Sequence, residues 1–315
     1  TPFYSESVDF EGEPGYLPAS AWNDARRAVL EQLLALRSAP KAWDCAPARL
    51  PEARRHALGA KQLWARFEGP EQLPAPLPGD LAGVILPLLR WREVPEALRA
   101  KTVLEAPRVM FGGMEAAAAK ALAEAKDAGF AGVMVHNIGH LPLAKGWKLY
   151  GGFGLNVANP LSALCWKDLG LSALTVSPET PFAEMEAIDP GVPTWAIVYG
   201  HLPLMITRAC PLQNVTDCAH CDKQGLLTDR KRRQFPVRCG GGVRQIYNPV
   251  PLYMGDKLKK LPADGALAWF TLETPAEAAR VLAALEKGES WPEEFTRGLY
   301  FKTPSAPGAG KDETR

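Results

Sequence analysis

The sequence predicts an α/β fold, specifically a TIM-like (β/α)8 barrel, and three observations carry that prediction. From about residue 61, eight short apolar runs with β-branched or aromatic content follow one another. Segments of helical pattern separate most of them. The last run is delayed by a connector of roughly sixty-five residues that holds four of the six cysteines.

The chain opens with a helical appendage and linker over residues 1–58. Trp22, Val29, Leu30, Leu33 and Leu34 recur at helical spacing after Pro18-Ala19-Ser20, which predicts a helix packed on the outside of the barrel. The proline- and alanine-rich stretch from Pro40 to Pro51 reads as a linker. The barrel is predicted over 59–301, with strands at Leu63–Phe67, Gly83–Leu86, Arg108–Phe111, Gly132–His136, Leu149–Phe153, Ala173–Val176, Trp195–Tyr199 and Ala266–Thr271. Glu115–Lys126 is an alanine-rich helix, and Thr274-Pro275-Ala276-Glu277 supplies an N-cap, a first-turn proline and a capping-box glutamate for a final helix over Ala278–Leu285. The connectors at 70–80 and 137–147 are short or irregular, which leaves open a distorted barrel. The cysteine-rich insertion occupies about 200–263, and residues 302–315 read as a flexible tail.

Composition bounds the function. Thirty-six Lys and Arg against thirty-five Asp and Glu leave a net charge of +1, so the whole-molecule field predicts no strong attraction to nucleic acid or to an anionic membrane; any RNA contact must be local. There is no long apolar run and no signal-peptide pattern at Thr1-Pro2-Phe3-Tyr4, which predicts a cytoplasmic chain with no membrane partner. The lack of an initiator methionine and the polar Gly310–Arg315 end predict a piece of a longer polypeptide.

Cys210, Cys218, Cys221 and Cys239 fall within thirty residues, with a Cys-x-x-Cys knuckle at their centre. Such a knuckle lets two thiolates meet one metal from a tight turn while outlying thiolates complete four-coordination. Leu226–Asp229 and Phe235–Arg238 read as a hairpin that returns Cys239 towards the knuckle. Four thiolates suit Zn²⁺ and a 4Fe-4S cluster alike, and spacing does not separate them. Cys45 and Cys165 read as ordinary packing residues. The cations Arg208, Lys223, Arg230–Arg233 and Arg238 surround the cluster, either as a solvated surface or as counter-charge for thiolates and an anionic substrate.

Barrel active sites lie at the C-terminal ends of the strands. The candidates there are His136, Asn156, Glu179 and His201, with Asn137, Asn159, Ser177 and Tyr199 beside them. His136 and Glu179 have the chemistry of a general acid or base, whereas the Asn and Ser residues equally suit backbone capping. No His-Glu-x-x-His or Gly-x-Ser-x-Gly motif is present, so hydrolytic machinery is not legible.

Tyr199-Gly200-His201-Leu202-Pro203-Leu204-Met205-Ile206-Thr207-Arg208-Ala209-Cys210 resembles the strand and cysteine segment of peptidase family U32, the collagenase-like peptidases. Asp229-Arg230, Phe235-Pro236-Val237, Cys239, Ile246-Tyr247-Asn248 and Phe295–Tyr300 follow in the family's order, and Leu155–Asn159 and Val176–Glu179 resemble its barrel motifs upstream. At one position the chain differs: Tyr199-Gly200-His201 stands where His-Gly is commoner. The resemblance implies a barrel and, by the family's name, proteolysis. Several relatives are iron–sulfur proteins of oxygen-independent hydroxylation of ribosomal RNA, transfer RNA or ubiquinone precursors. It therefore implies Cys210, Cys218, Cys221 and Cys239 as 4Fe-4S ligands, with zinc in a structural site as the alternative, and structured RNA as a partner. The segment around Asn23–Arg27 resembles the extra domain of long members, which implies an upstream barrel of the same polypeptide as a further partner.

Overall fold

The computed structural model describes residues 3–7, 9, 11–13, 15–41, 58–213, 216–240 and 242–302. The linker, Cys45 and nearly all of the C-terminal tail lie outside them. The chain divides into two units, Thr1–Leu50 and Pro51–Arg315. The first carries α1 (Ala19–Ser38), a twenty-residue helix none of whose residues is buried.

In the second unit, seven strands run in chain order: β1 (Gln62–Arg66), β2 (Gly83–Pro87), β3 (Thr102–Glu105), β4 (Gly132–Val135), β5 (Leu149–Gly151), β6 (Leu171–Thr175) and β7 (Thr194–Gly200). The eighth barrel strand is β13 (Gly265–Trp269). Each pairs in parallel with its neighbour, β13 lies between β7 and β1, and β6 pairs with β7, so the sheet closes into an eight-stranded parallel barrel. All five residues of β13 and all seven of β7 are buried, as strands of a closed parallel barrel must be.

The barrel interior is filled by complementary sizes on alternate strands. Trp64, Tyr150 and Trp195, from β1, β5 and β7, form one aromatic layer with ring centroids 4.4 Å (Trp64–Trp195) and 5.5 Å (Tyr150–Trp195) apart. Three of the strands between them, β2, β4 and β13, supply glycine. A Cβ on Gly83 would run into the Trp64 ring, one on Gly132 into Tyr150, and one on Gly265 into Trp195. These glycines are therefore the space that three large rings occupy.

One expected strand is displaced. Arg108–Phe111 is not a strand; the third barrel strand is Thr102–Glu105, with all four residues buried. Pro107 explains the difference, since it cannot donate to the ladder, and the chain leaves the sheet just before it. Arg108 consequently belongs to the loop at the barrel's C-terminal mouth. Between strands and outside them run α2 (Glu96–Arg99), α3 (Met114–Ala125), α4 (His140–Leu143), α5 (Pro160–Asp168), α6 (Phe182–Met185) and α7 (Pro275–Lys287). The expected capping box at Thr274 and Glu277 is formed at the start of α7, and Gly288 ends that helix in a left-handed conformation at φ 67°.

The long connector folds into a second sheet. β8 (Pro203–Thr207), β9 (Gln224–Thr228), β10 (Gln234–Gly240) and β11 (Val243–Tyr247) form an antiparallel sheet in the order β8-β11-β10-β9. The expected hairpin is β9–β10: Asp229 Oδ1 accepts from the amides of Lys231 and Arg233 at 2.8 Å each, and Arg232 takes the left-handed turn at φ 62°. β12 (Leu252–Tyr253) then pairs antiparallel with the end of β7 before the chain enters β13.

Candidate active site and thiol cluster

The C-terminal mouth of the barrel opens into a cavity of about 560 Å³ whose other wall is the four-stranded sheet. Arg66, Glu105 and Trp269 reach it from the ends of β1, β3 and β13, Arg108 from the β3–α3 loop, and Arg238, Cys239, Val243 and Tyr247 from the sheet. The position agrees with the general placement of barrel active sites.

A buried charge network forms the cavity floor. Arg66 Nε donates to Glu105 Oε2 at 2.7 Å, and Arg66 Nη1 pairs with Glu68 at 2.5 Å and with the Phe270 carbonyl at 3.1 Å. Glu105 Oε1 lies 2.9 Å from His136 Nε2. Gly154 N donates to His136 Nδ1 at 3.4 Å, so the imidazole proton resides on Nε2 and points at the carboxylate. Burial opposes ionisation of Glu105, and Arg66 and His136 override it, holding the carboxyl well below the usual range. Burial lowers the His136 pKa despite Glu105, so the ring is neutral at pH 7. Arg66 is likewise opposed by burial but kept charged by Glu105 and Glu68.

Of the four candidate catalytic residues, His136 joins this network. Asn156 is exposed, sits at φ 57° after the 3-10 turn Phe153–Leu155, and accepts from Ser177 Oγ at 3.2 Å. Glu179 is exposed, its amide bonded to Ser177 Oγ at 3.4 Å. His201 is half-buried; its Nδ1 lies 2.7 Å from the Asn248 carbonyl and its Nε2 3.9 Å from Glu273 Oε1. None of these three lines the mouth cavity. Among their neighbours, Asn159 caps α5 by accepting from Ser162 N at 2.9 Å. Sequence reading missed Arg66, Glu105, Arg108 and Tyr247. The signal for the first two was present: a charged residue ending an otherwise apolar strand.

The fold places Cys239 on β10 of the small sheet, Cys210 just past the end of β8, and Cys218 and Cys221 in the segment before β9. Cys239 is on β10 directly opposite Arg244 of β11, and Arg244 is opposite Thr207, three residues before Cys210. Cys239 N donates to the Lys223 carbonyl at 2.8 Å, and Lys223 N donates to Cys221 Sγ at 3.3 Å. Arg244 Nη1 reaches the Arg208 carbonyl at 2.7 Å. Cys239 first, then Cys210 and Cys218, raise the Arg244 pKa against desolvation. Among the described residues no three His, Cys, Asp or Glu side chains converge closely enough to hold a metal ion as they stand. The donor set itself fits: four free cysteines supply soft sulfur ligands of the kind zinc and iron–sulfur clusters take. Cys165 is exposed on α5. The sheet unit from Pro203 to Tyr247 carries eight Lys or Arg against three Asp, a local basic excess in a nearly neutral chain.

No protein-family model matches the sequence, and no curated protein matches it. Among solved structures, a chain described as the U32 peptidase Mk0906 is similar at a TM-score of 0.46 and 13% identity, over 72% of this chain and 98% of that one. Among the described residues no helix is long and apolar enough to cross a membrane.

Proposed function

We propose that this chain is a U32-family barrel in which Cys210, Cys218, Cys221 and Cys239 hold a 4Fe-4S cluster, and that it serves an oxygen-independent hydroxylation of RNA. The observation that supports the reading is that four free cysteines lie in or beside one small sheet whose Cys239 lines the barrel-mouth cavity. A cluster there would supply one-electron chemistry. The chain's own residues do the rest. Arg66 and Glu105 form a mutually satisfied floor that the buried His136 holds from behind, and the basic sheet offers a local surface to a polyanion through the exposed Arg230, Lys231 and Arg232.

A peptidase reading draws less support from these residues. Both ring nitrogens of His136 are engaged, by Glu105 and by Gly154 N, while His201 has Nδ1 on the Asn248 carbonyl and Nε2 3.9 Å from Glu273 Oε1, so no Ser, Thr or Cys is the hydrogen-bond partner of either ring. The experiment compares RNA from cells lacking the chain with RNA from cells restored with the wild type or Cys239→Ser. A hydroxylated nucleotide that disappears on deletion and returns only with the wild type supports the reading. Identical nucleotide profiles in all three would refute it.

A further inference from the structure

The arginines of the mouth are unequally satisfied. Arg66 is held by Glu105 and Glu68, Arg90 by Glu71 and Glu93, and Arg238 by Gln224. Arg108 differs. Its guanidinium carbon stands 4.3 Å from the centre of the Phe153 ring, its Nη1 is buried, and that nitrogen has no hydrogen-bond partner among the described residues. The nearby carboxylate, Glu105, makes no hydrogen bond to that nitrogen: its Oε2 accepts from Arg66 and its Oε1 meets His136, so it reaches Arg108 through its charge alone. Arg108 as a whole is half-buried, but a guanidinium nitrogen that has lost its water and found no acceptor is costly, since the group stays charged at any ordinary pH.

We infer that Arg108 is an oxyanion seat, and that the cavity takes a small ligand carrying one carboxylate or phosphate group on an apolar body. The walls fit that body: Leu88, Val109, Met114, Ile206, Val243 and Trp269 surround the space. The volume of about 560 Å³ is within the usual range for small-molecule sites. The Phe153 ring, 4.3 Å from the guanidinium carbon, restrains the group by a cation–π contact, so pairing with an oxyanion costs little further ordering. The inference deepens the reading of the mouth as the reacting cavity and rests on it, but not on what the thiols hold.

The test uses the full chain without metal, titrated separately with benzoate and with inorganic phosphate, read by Trp fluorescence and by the shift in unfolding temperature. Saturable binding is expected, since Trp269 lines the cavity. Arg108→Gln should weaken it by at least about tenfold, the loss of one charge-assisted hydrogen bond, and Arg108→Lys by less. Arg280→Gln, which removes an exposed charge on α7, should leave it unchanged. Tighter benzoate assigns the seat to carboxylic acids and tighter phosphate to phosphate esters, and either supports it. No saturable response to either probe, or equal affinity in all three variants, would overturn it. Because the protein is metal-free throughout, a failure here is distinct from failure of the cluster reading.

Discussion

The backbone amide of Cys239 donates a 2.8 Å hydrogen bond to the carbonyl of Lys223, whose own amide donates to Cys221 Sγ at 3.3 Å. One residue thus clasps the knuckle to the outlying cysteine that lines the cavity. Lys223 adopts φ 63° to do so, a left-handed conformation rare for a residue with a Cβ. The chain turns here between the Cys-x-x-Cys segment and β9.

Glu105 is the keystone of the mouth. Glu105→Gln leaves Arg66 buried with only the half-exposed Glu68 as a carboxylate partner, and is expected to lower stability by about 3–5 kcal/mol. Denaturant unfolding followed by circular dichroism measures this. A loss under about 1 kcal/mol would mean that the pair behaves as a solvated surface bridge.

Two buried histidines make stability sensitive to acid. Burial lowers the pKa of His136, and burial with the neighbouring His136 pushes His140 down to about 4. The unfolded histidines titrate near 6.5, so below that pH the unfolded chain binds more protons than the folded one. Stability is therefore full above about pH 6.5 and falls towards pH 4, with Glu105 still ionised throughout. Protonating His140 Nδ1 also removes the acceptor of the His136 amide, a 3.2 Å bond. In His140→Gln the slope of stability against pH should be shallower by up to about 1.4 kcal/mol per pH unit. Unfolding free energies measured from pH 4 to 8 decide it, and an unchanged slope would show that His140 does not titrate with folding.

Gly265→Ala puts a methyl into the Trp195 ring, one strand from where the aromatic layer is tightest. Overpacking should cost about 1–3 kcal/mol. Thermal unfolding of Gly265→Ala beside Gly79→Ala, whose added Cβ meets nothing, separates crowding from a general effect of replacing glycine.

Thr274→Ala removes the acceptor for Glu277 N and the partner of its carboxylate, and should lower stability by about 1 kcal/mol. A chemical-denaturation midpoint shift with unchanged slope is the expected signature.

Seven of the eight barrel strands were legible because apolar, β-branched runs bounded by turn residues are a local signal. The third was not, since Val103-Leu104 is a short apolar core and the neighbouring Val109-Met110-Phe111 competes for the same reading. That error hid Glu105 and Arg108. The cysteines were legible by spacing, and the β9–β10 hairpin by its polar Asp229–Arg233 turn. The pairing of Arg66 with Glu105 and of Glu105 with His136 was not legible, because contacts between residues 39 and 31 apart depend on barrel closure. Asn156, Glu179 and His201 show the converse: position after a strand places a residue at the mouth's end of the barrel but does not aim its side chain into the cavity.

The most direct test of the account is iron, sulfide and zinc content with a visible absorption spectrum, on protein purified without oxygen, beside Cys221→Ser. About four irons and four sulfides per chain are expected, as a [4Fe–4S] cluster requires, with broad visible absorption that the substitution abolishes. One tightly held zinc and no iron would contradict it and leave a structural zinc module in place of a redox enzyme.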